Sequence, residues 1–179
     1  MSGNSSGPGL MLQLGLIAMV ACVTLSGCSS TAGSPTSKGE EVASGPVLHE
    51  ASEMDEEVRN AISAFTEPLP SGVDWFQGTP DSLKKADTQY EEGVAEGEVA
   101  FYWLCAWEKS YLVAFEKSED EGQIKSLNMI EKFPELPWYK AHMQDPQKGW
   151  IKAVVTPAKL GDPSGLKKEF ASACSHLSL

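Results

Sequence analysis

The chain has 179 residues, 41% of them hydrophobic and 22% charged, with a formal net charge of −11 and a sequence pI of about 4.7. That length suits one domain plus a leader. Arg59 is the single arginine and no basic cluster occurs, so the chain lacks the charge needed to displace counterions from phosphates, and no nucleic-acid partner is expected. The same acidity argues against side chains lying on an anionic membrane surface.

Residues 1–28 carry no charged side chain. Leu10 to Leu25 is an apolar run broken only by Gln13; at sixteen residues it is shorter than the about 20 needed for a membrane span. It has the length of a signal-peptide core. The run ends in Leu25-Ser26-Gly27-Cys28, an apolar residue and two small residues before a cysteine. This tetrad resembles the lipobox of bacterial lipoproteins. The resemblance implies removal of residues 1–27 as a signal peptide and a diacylglyceryl thioether on Cys28. It also implies a lipid-anchored domain facing outside the cytoplasm, at the cell membrane. A two-chain lipid anchors stably, because each buried CH₂ contributes ~0.8 kcal/mol and one chain holds only marginally. The leader departs from the pattern in having no Lys or Arg before its apolar core. The alternatives are a plain uncleaved N-terminal anchor, which also places the domain outside the cytoplasm, and a chance apolar run. The resemblance covers the leader and lipobox only; the remainder looks like uncharacterised bacterial lipoproteins and lends no functional residue.

After Cys28 the chain is small and polar to Pro46, with no period, which reads as a flexible tether (28–47) before a folded domain (48–179). Ser52-Glu53-Met54-Asp55 offers a capping hydroxyl and an acidic first turn. Met54, Val58, Ala61, Ile62 and Phe65 then fall on one helical face, and Pro68 is the stop. Residues 67–80 form a Pro- and Gly-rich loop around a buried Trp75, and Thr79-Pro80-Asp81 opens a short helix.

A long helix is predicted over about 91–117. Glu91, Glu92, Glu96 and Glu98 suit the positive end of its dipole, while Gly93 and Gly97 weaken its start. The next helix covers about 121–133, with Ile124, Leu127 and Ile130 inward and Pro134 as its end. Residues 137–144 form a short helix. Asp145-Pro146 starts another, carrying Trp150, Ile151, Val154 and Val155, and Pro157 kinks or ends it. Asp162-Pro163 repeats the start signal before a last helix with Leu166, Phe170, Ala173, Cys174 and Leu177 on one face. No run alternates as a half-buried strand does, and no Asn-Gly or Asp-Gly hairpin turn occurs. The expected fold is therefore all-α: an irregular domain of five to six helices around a central aromatic-rich helix.

Four cysteines occur. Cys22 would leave with the leader and Cys28 would carry lipid. Cys105 and Cys174 remain, an even pair in an oxidising compartment, and are expected to form a disulfide between the central and last helices. Two buried free thiols are the alternative. Two cysteines this far apart, without a histidine motif, do not make a four-ligand metal set, and no metal or cofactor is expected.

The stretch FYWLCAWEKSYL (101–112) holds the clearest anomaly. On a helical wheel its aromatics, Leu104, Leu112 and Cys105 form one broad apolar arc, and Glu108 falls inside that arc. Desolvation there raises a carboxyl pKa. Two readings stand: a poised general acid or base, or a buried structural carboxyl in a hydrogen-bonded network. His49, His142 and His176 begin no recognisable triad. Trp138 and Tyr139, on a helix too short to bury every ring, are candidates for an exposed recognition patch.

The sequence points to a lipid-anchored helical module with a non-catalytic binding or structural role, its partners the membrane and an envelope protein or polymer. The alternatives are an envelope hydrolase using Glu108, or a small-ligand binder with an aromatic pocket. A cleft with a second acid opposite Glu108 would favour the hydrolase. A closed core with every polar atom paired would favour the module, and a dry aromatic cavity the binder.

Overall fold

The computed structural model describes residues 45–177 and 179. The predicted leader, Cys28 and the tether up to residue 44 lie outside the described residues. The elements run in chain order as β1 (Leu48–Glu50), α1 (Met54–Ala64), β2 (Gln89–Glu91), α2 (Val94–Glu116), α3 (Asp120–Ile130), α4 (Pro137–His142), α5 (Thr156–Lys159) and α6 (Ser164–Ala173). A π-helical segment, Ile151–Val155, leads directly into α5. The domain is mostly helical, as expected.

A small two-stranded antiparallel sheet accompanies the helices, and no local sequence signal announces it. Leu48, His49 and Glu50 pair with Glu91, Tyr90 and Gln89. Three-residue strands are too short to display alternation, and their partners are joined by a helix and a long loop rather than by a hairpin turn. Burial holds them: Tyr90 is in the core, and its hydroxyl donates to Ser82 O and accepts from Lys85 N. Val47, at the end of the predicted tether, is fastened by Glu92 N donating to its carbonyl at 3.0 Å.

α1 buries Met54, Val58 and Ala61, as its 3.6-residue spacing requires. Its cap is Glu53 rather than Ser52: the Glu53 carboxylate reaches back to Glu50 N at 2.7 Å, and its carbonyl accepts Glu56 N and Glu57 N. The helix ends at Ala64, before Pro68, because Phe65 turns extended to pack between the two core clusters. Thr79-Pro80-Asp81 produces only a single 3₁₀ turn over Asp81–Leu83.

α2 starts at Val94, later than predicted. Gly93 is its left-handed N-cap (φ 91°), a backbone shape that glycine adopts without steric cost. A Cβ there would stand 2.6 Å from the His142 ring, and one at Gly97 would stand 2.7 Å from the Trp138 ring. The two glycines that weaken the helix start therefore seat α4 on it. From Ala95 to Ala114 most residues of α2 are buried, on nearly all sides, as befits a central helix apolar almost all round.

α3 packs through Ser126, Leu127 and Ile130, and Gly122 brings it against Ala114 of α2. Ile124, expected inward, is 60% exposed. Three-residue steps drift about 60° each around a helix, and the packed face centres on Leu127 and Ile130. Phe133 leaves the helix for a 3₁₀ turn and enters the main core with Trp103, Leu104, Tyr111, Val155 and Leu166.

Asp145 caps the following helical stretch by accepting Gly149 N at 2.6 Å and Trp150 N at 3.1 Å, which hold its carboxyl below the usual carboxylate range. The helix then widens into the π turn over Ile151–Val155, and Pro157 falls in the first turn of α5. Proline has no N–H to offer Ala153 O. Gly165 of α6 sits beside the Ala153 carbonyl, where a Cβ would lie only 2.2 Å away. Asp162 starts α6 by accepting Ser164 N at 3.0 Å. Leu166 and Cys174 are buried, whereas Leu177 lies beyond the helix end.

Candidate functional site

Cys105 and Glu108 are three residues apart on α2 and share one face of it. Cys174, at the C-cap of α6, reaches the same face, and the structure links it to Cys105 with Cα atoms 5.6 Å apart. The link spans 69 residues of chain, a loop whose closure contributes on the order of 4 kcal/mol in the chain-entropy account.

Glu108 is 0% exposed, and its Oε2 lies 3.4 Å from Cys174 Sγ. A disulfide sulfur carries no proton, so the carboxyl O–H is the donor in this contact and the sulfur accepts. Glu108 Oε1 is buried without a hydrogen-bond partner. Burial first, and then the negative charge of Glu169 on α6, push the Glu108 pKa up to about 9. Glu108 is thus a neutral acid at neutral pH. The ligand-type atoms of Cys105, Glu108 and Cys174 fall within 4.8 Å of one another. While the sulfurs are bonded to each other they offer no thiolate to a metal.

The wheel placed Glu108 inward, and the structure agrees. It did not reveal that the neighbour would be the disulfide. Nor is Glu108 in a network: one oxygen touches sulfur and the other touches no donor. The surroundings are a closed core, without the full pairing that a purely structural carboxyl would have.

The aromatic side of α2 is different. Trp103 Nε1 and Trp107 Nε1 both donate to Pro68 O at 2.9 Å. Tyr102 donates to Asp74 O at 2.8 Å, and Tyr111 to Ala158 O at 3.3 Å. These bonds fasten the loop after α1 and the start of α5 to the central helix.

The expected exposed patch is corrected at Tyr139 and reduced at Trp138. Tyr139 is buried, with its hydroxyl 3.3 Å from Asp145 Oδ2. Trp138 is half-buried; its Nε1 donates to Gly93 O at 2.7 Å, and its ring stacks on His142. The two glycines of the α2 start make room for rings that a short helix could not otherwise bury. Trp138 still borders an apolar pocket of about 230 Å³, with Phe65, Val99 and Leu136 in its wall and Glu67 and Glu96 beside it.

Sequence reasoning missed Glu98. It read as one more acid in the helix start, but its side chain is only 13% exposed and Oε1 has no hydrogen-bond partner. Its Oε2 accepts from Ser82 Oγ at 3.3 Å, and His176 Nε2 stands 3.9 Å from Oε1. Ser82 and His176 come from distant segments, so no local spacing distinguishes Glu98 from Glu96. These residues border an open cleft of about 630 Å³ with Phe76, Lys84 and Tyr102. His49 lies 3.8 Å from Glu57.

Among the described residues no helix is long and apolar enough to cross a membrane. Comparison with known protein families, with characterised proteins and with solved structures finds no match to this chain.

Proposed function

We propose that this chain is a lipid-anchored helical module that works outside the cytoplasm in a binding or structural role rather than in hydrolysis. Cys28 carries the lipid, and the domain from about residue 48 stands on a tether at the cell envelope. The observation that carries the reading is the Cys105–Cys174 link in the core, joined to a leader that ends in Leu-Ser-Gly-Cys. Disulfides persist in oxidising compartments, which are where such a leader delivers its protein. The hydrolase reading has less support. Glycoside hydrolysis needs substrate between two carboxyl groups, and Glu108 is sealed from solvent.

The half-buried Trp138 is the binding candidate that fits this role. Its pocket is smaller than the about 300–1,000 Å³ of sites that enclose whole ligands. It suits a single apolar side chain of a protein partner; Glu67 beside it already pairs with Lys132 at 2.7 Å, and Glu96 favours a partner with a basic residue.

Mass spectrometry of protein extracted from membranes tests the anchor. The expected N-terminal peptide begins at Cys28 and bears a diacylglyceryl group, and Cys28→Ser abolishes that acylated peptide and leaves residues 1–27 on the chain. Recovery of intact residues 1–27 on the membrane-bound protein would sink the lipoprotein reading.

A further inference from the structure

We propose that the open cleft lined by the 76–85 loop, α2 and the turn after α6 binds a free α-amino acid with an aromatic side chain, its ammonium group held by Glu98 and its carboxylate by Lys85. The site is separate from the Trp138 pocket, and the proposal depends neither on that pocket nor on the lipid anchor. The cleft volume of about 630 Å³ lies within the about 300–1,000 Å³ of sites that enclose small ligands.

Glu98 lines the cleft from α2, with its side chain 13% exposed. Ser82 Oγ donates to Oε2 at 3.3 Å, a bond that needs only one neutral acceptor. Glutamine would supply that acceptor without burying a charge. The other oxygen, Oε1, has no hydrogen-bond partner. His176 Nε2 stands 3.9 Å from it, beyond hydrogen-bond distance, so the ring screens the oxygen without satisfying it. The His176 side chain is 54% exposed and belongs to the turn after α6, so a ligand in the cleft reaches Oε1 as the ring turns aside. An ammonium group gains most there, because charge-assisted hydrogen bonds are about twice as strong as neutral ones.

The charges of the lining select the ligand class. Its acids are Asp81 and Glu98, and its lysines are Lys84 and Lys85. Lys84 Nζ pairs with Asp81 Oδ1 at 3.0 Å, whereas Lys85 has no ion pair among the described residues. One acid and one lysine therefore remain for a ligand. A ligand carrying only positive charge meets Lys85 uncompensated, and one carrying only negative charge meets Glu98. A zwitterion satisfies both. Phe76 and Tyr102 supply the apolar wall, with ring centroids 4.9 Å apart and edge to face. The Tyr102 hydroxyl already donates to Asp74 O, so Tyr102 offers its ring, and a further aromatic ring packs well against such a pair. The wall is also preformed: Cys174, two residues before His176, is fastened to Cys105 of α2.

The test is calorimetric titration of the purified full chain with L-phenylalanine. Phenethylamine, which lacks the carboxylate, and 3-phenylpropionate, which lacks the ammonium group, serve as analogues. L-Phenylalanine should bind at a single saturable site, and each analogue should bind about tenfold or more weaker, the loss expected for one charge-assisted hydrogen bond. Glu98→Gln should remove the advantage of L-phenylalanine over 3-phenylpropionate, and Lys85→Ala its advantage over phenethylamine. The analogue comparison uses the wild type alone, so it decides the matter without either variant. No saturable binding of L-phenylalanine, equal binding of either analogue, or an L-phenylalanine affinity unchanged in Glu98→Gln overturns the proposal.

Discussion

Two faces of α2 handle buried polar atoms in opposite ways. Toward the loop after α1, Tyr102, Trp103 and Trp107 bury large rings, and each sends its polar tip to a backbone carbonyl. Toward α6, Glu108 buries a carboxyl with one oxygen on sulfur and one on nothing. The first face follows the rule that buried polar groups are paired. The second violates it beside the only covalent cross-link among the described residues. A helix core can be stabilised on one side while an uncompensated group is held on the other, because the packing and the disulfide outweigh one unfavourable residue.

Removing the cross-link should have the largest effect on this contrast. Cys105→Ser, which deletes the link and leaves a hydroxyl in the core, is expected to destabilise the domain by about 4 kcal/mol or more in non-reducing urea denaturation. An unchanged denaturation midpoint would mean that the link contributes nothing to stability.

Glu108→Gln should move stability the other way at neutral pH. The sign follows from the raised pKa. The folded protein holds the Glu108 proton up to about pH 9, while the unfolded chain releases it near 4.5. The stability associated with this group is therefore fully present below about 4.5 and declines as pH rises toward 9. At pH 7 the difference is about 3 kcal/mol, of which Gln recovers a part, because its amide is also imperfectly paired. Thermal unfolding at several pH values checks this: the variant should lose the decline between pH 5 and 9 that the wild type shows.

On the satisfied face the same kind of deletion should destabilise at every pH. Trp103→Phe removes an N–H that Pro68 O accepts and leaves a gap in a fully buried site, at a cost of about 1–3 kcal/mol. Trp107 still donates to the same carbonyl, which keeps the loss from being larger. Tyr111→Phe is the mildest change. It deletes one hydroxyl bond to Ala158 O, with an expected cost of about 1 kcal/mol and no pH dependence below pH 9. If Tyr111→Phe and Glu108→Gln shifted stability in the same direction, the contrast between the faces would fail.

The helical elements were legible because each rests on local rules. Amphipathic spacing located α1 and α3, and the Asp-Pro pairs located the last two helical stretches, with Asp145 and Asp162 capping as their side chains allow. The inward position of Glu108 followed from angular spacing alone. The sheet was not legible, since β1 and β2 become strands only through each other. Ile124 was misplaced because periodicity gives a face but not its centre. Tyr139 was misread, and Trp138 is half-covered, because what covers them, the Asp145 turn and the glycine-bared start of α2, comes from other parts of the chain.

The sequence by itself determined the helical class, the central helix, the pairable cysteines and an acid pointed into the core, because periodicity, proline and capping act within a few residues. Only the tertiary structure decided that the acid meets the disulfide, that Glu98 loses its water and that Tyr139 is buried while Trp138 stays at the rim of a pocket. Each depends on which distant side chain arrives, and burial raises the energetic stakes of every polar contact that is made or missed.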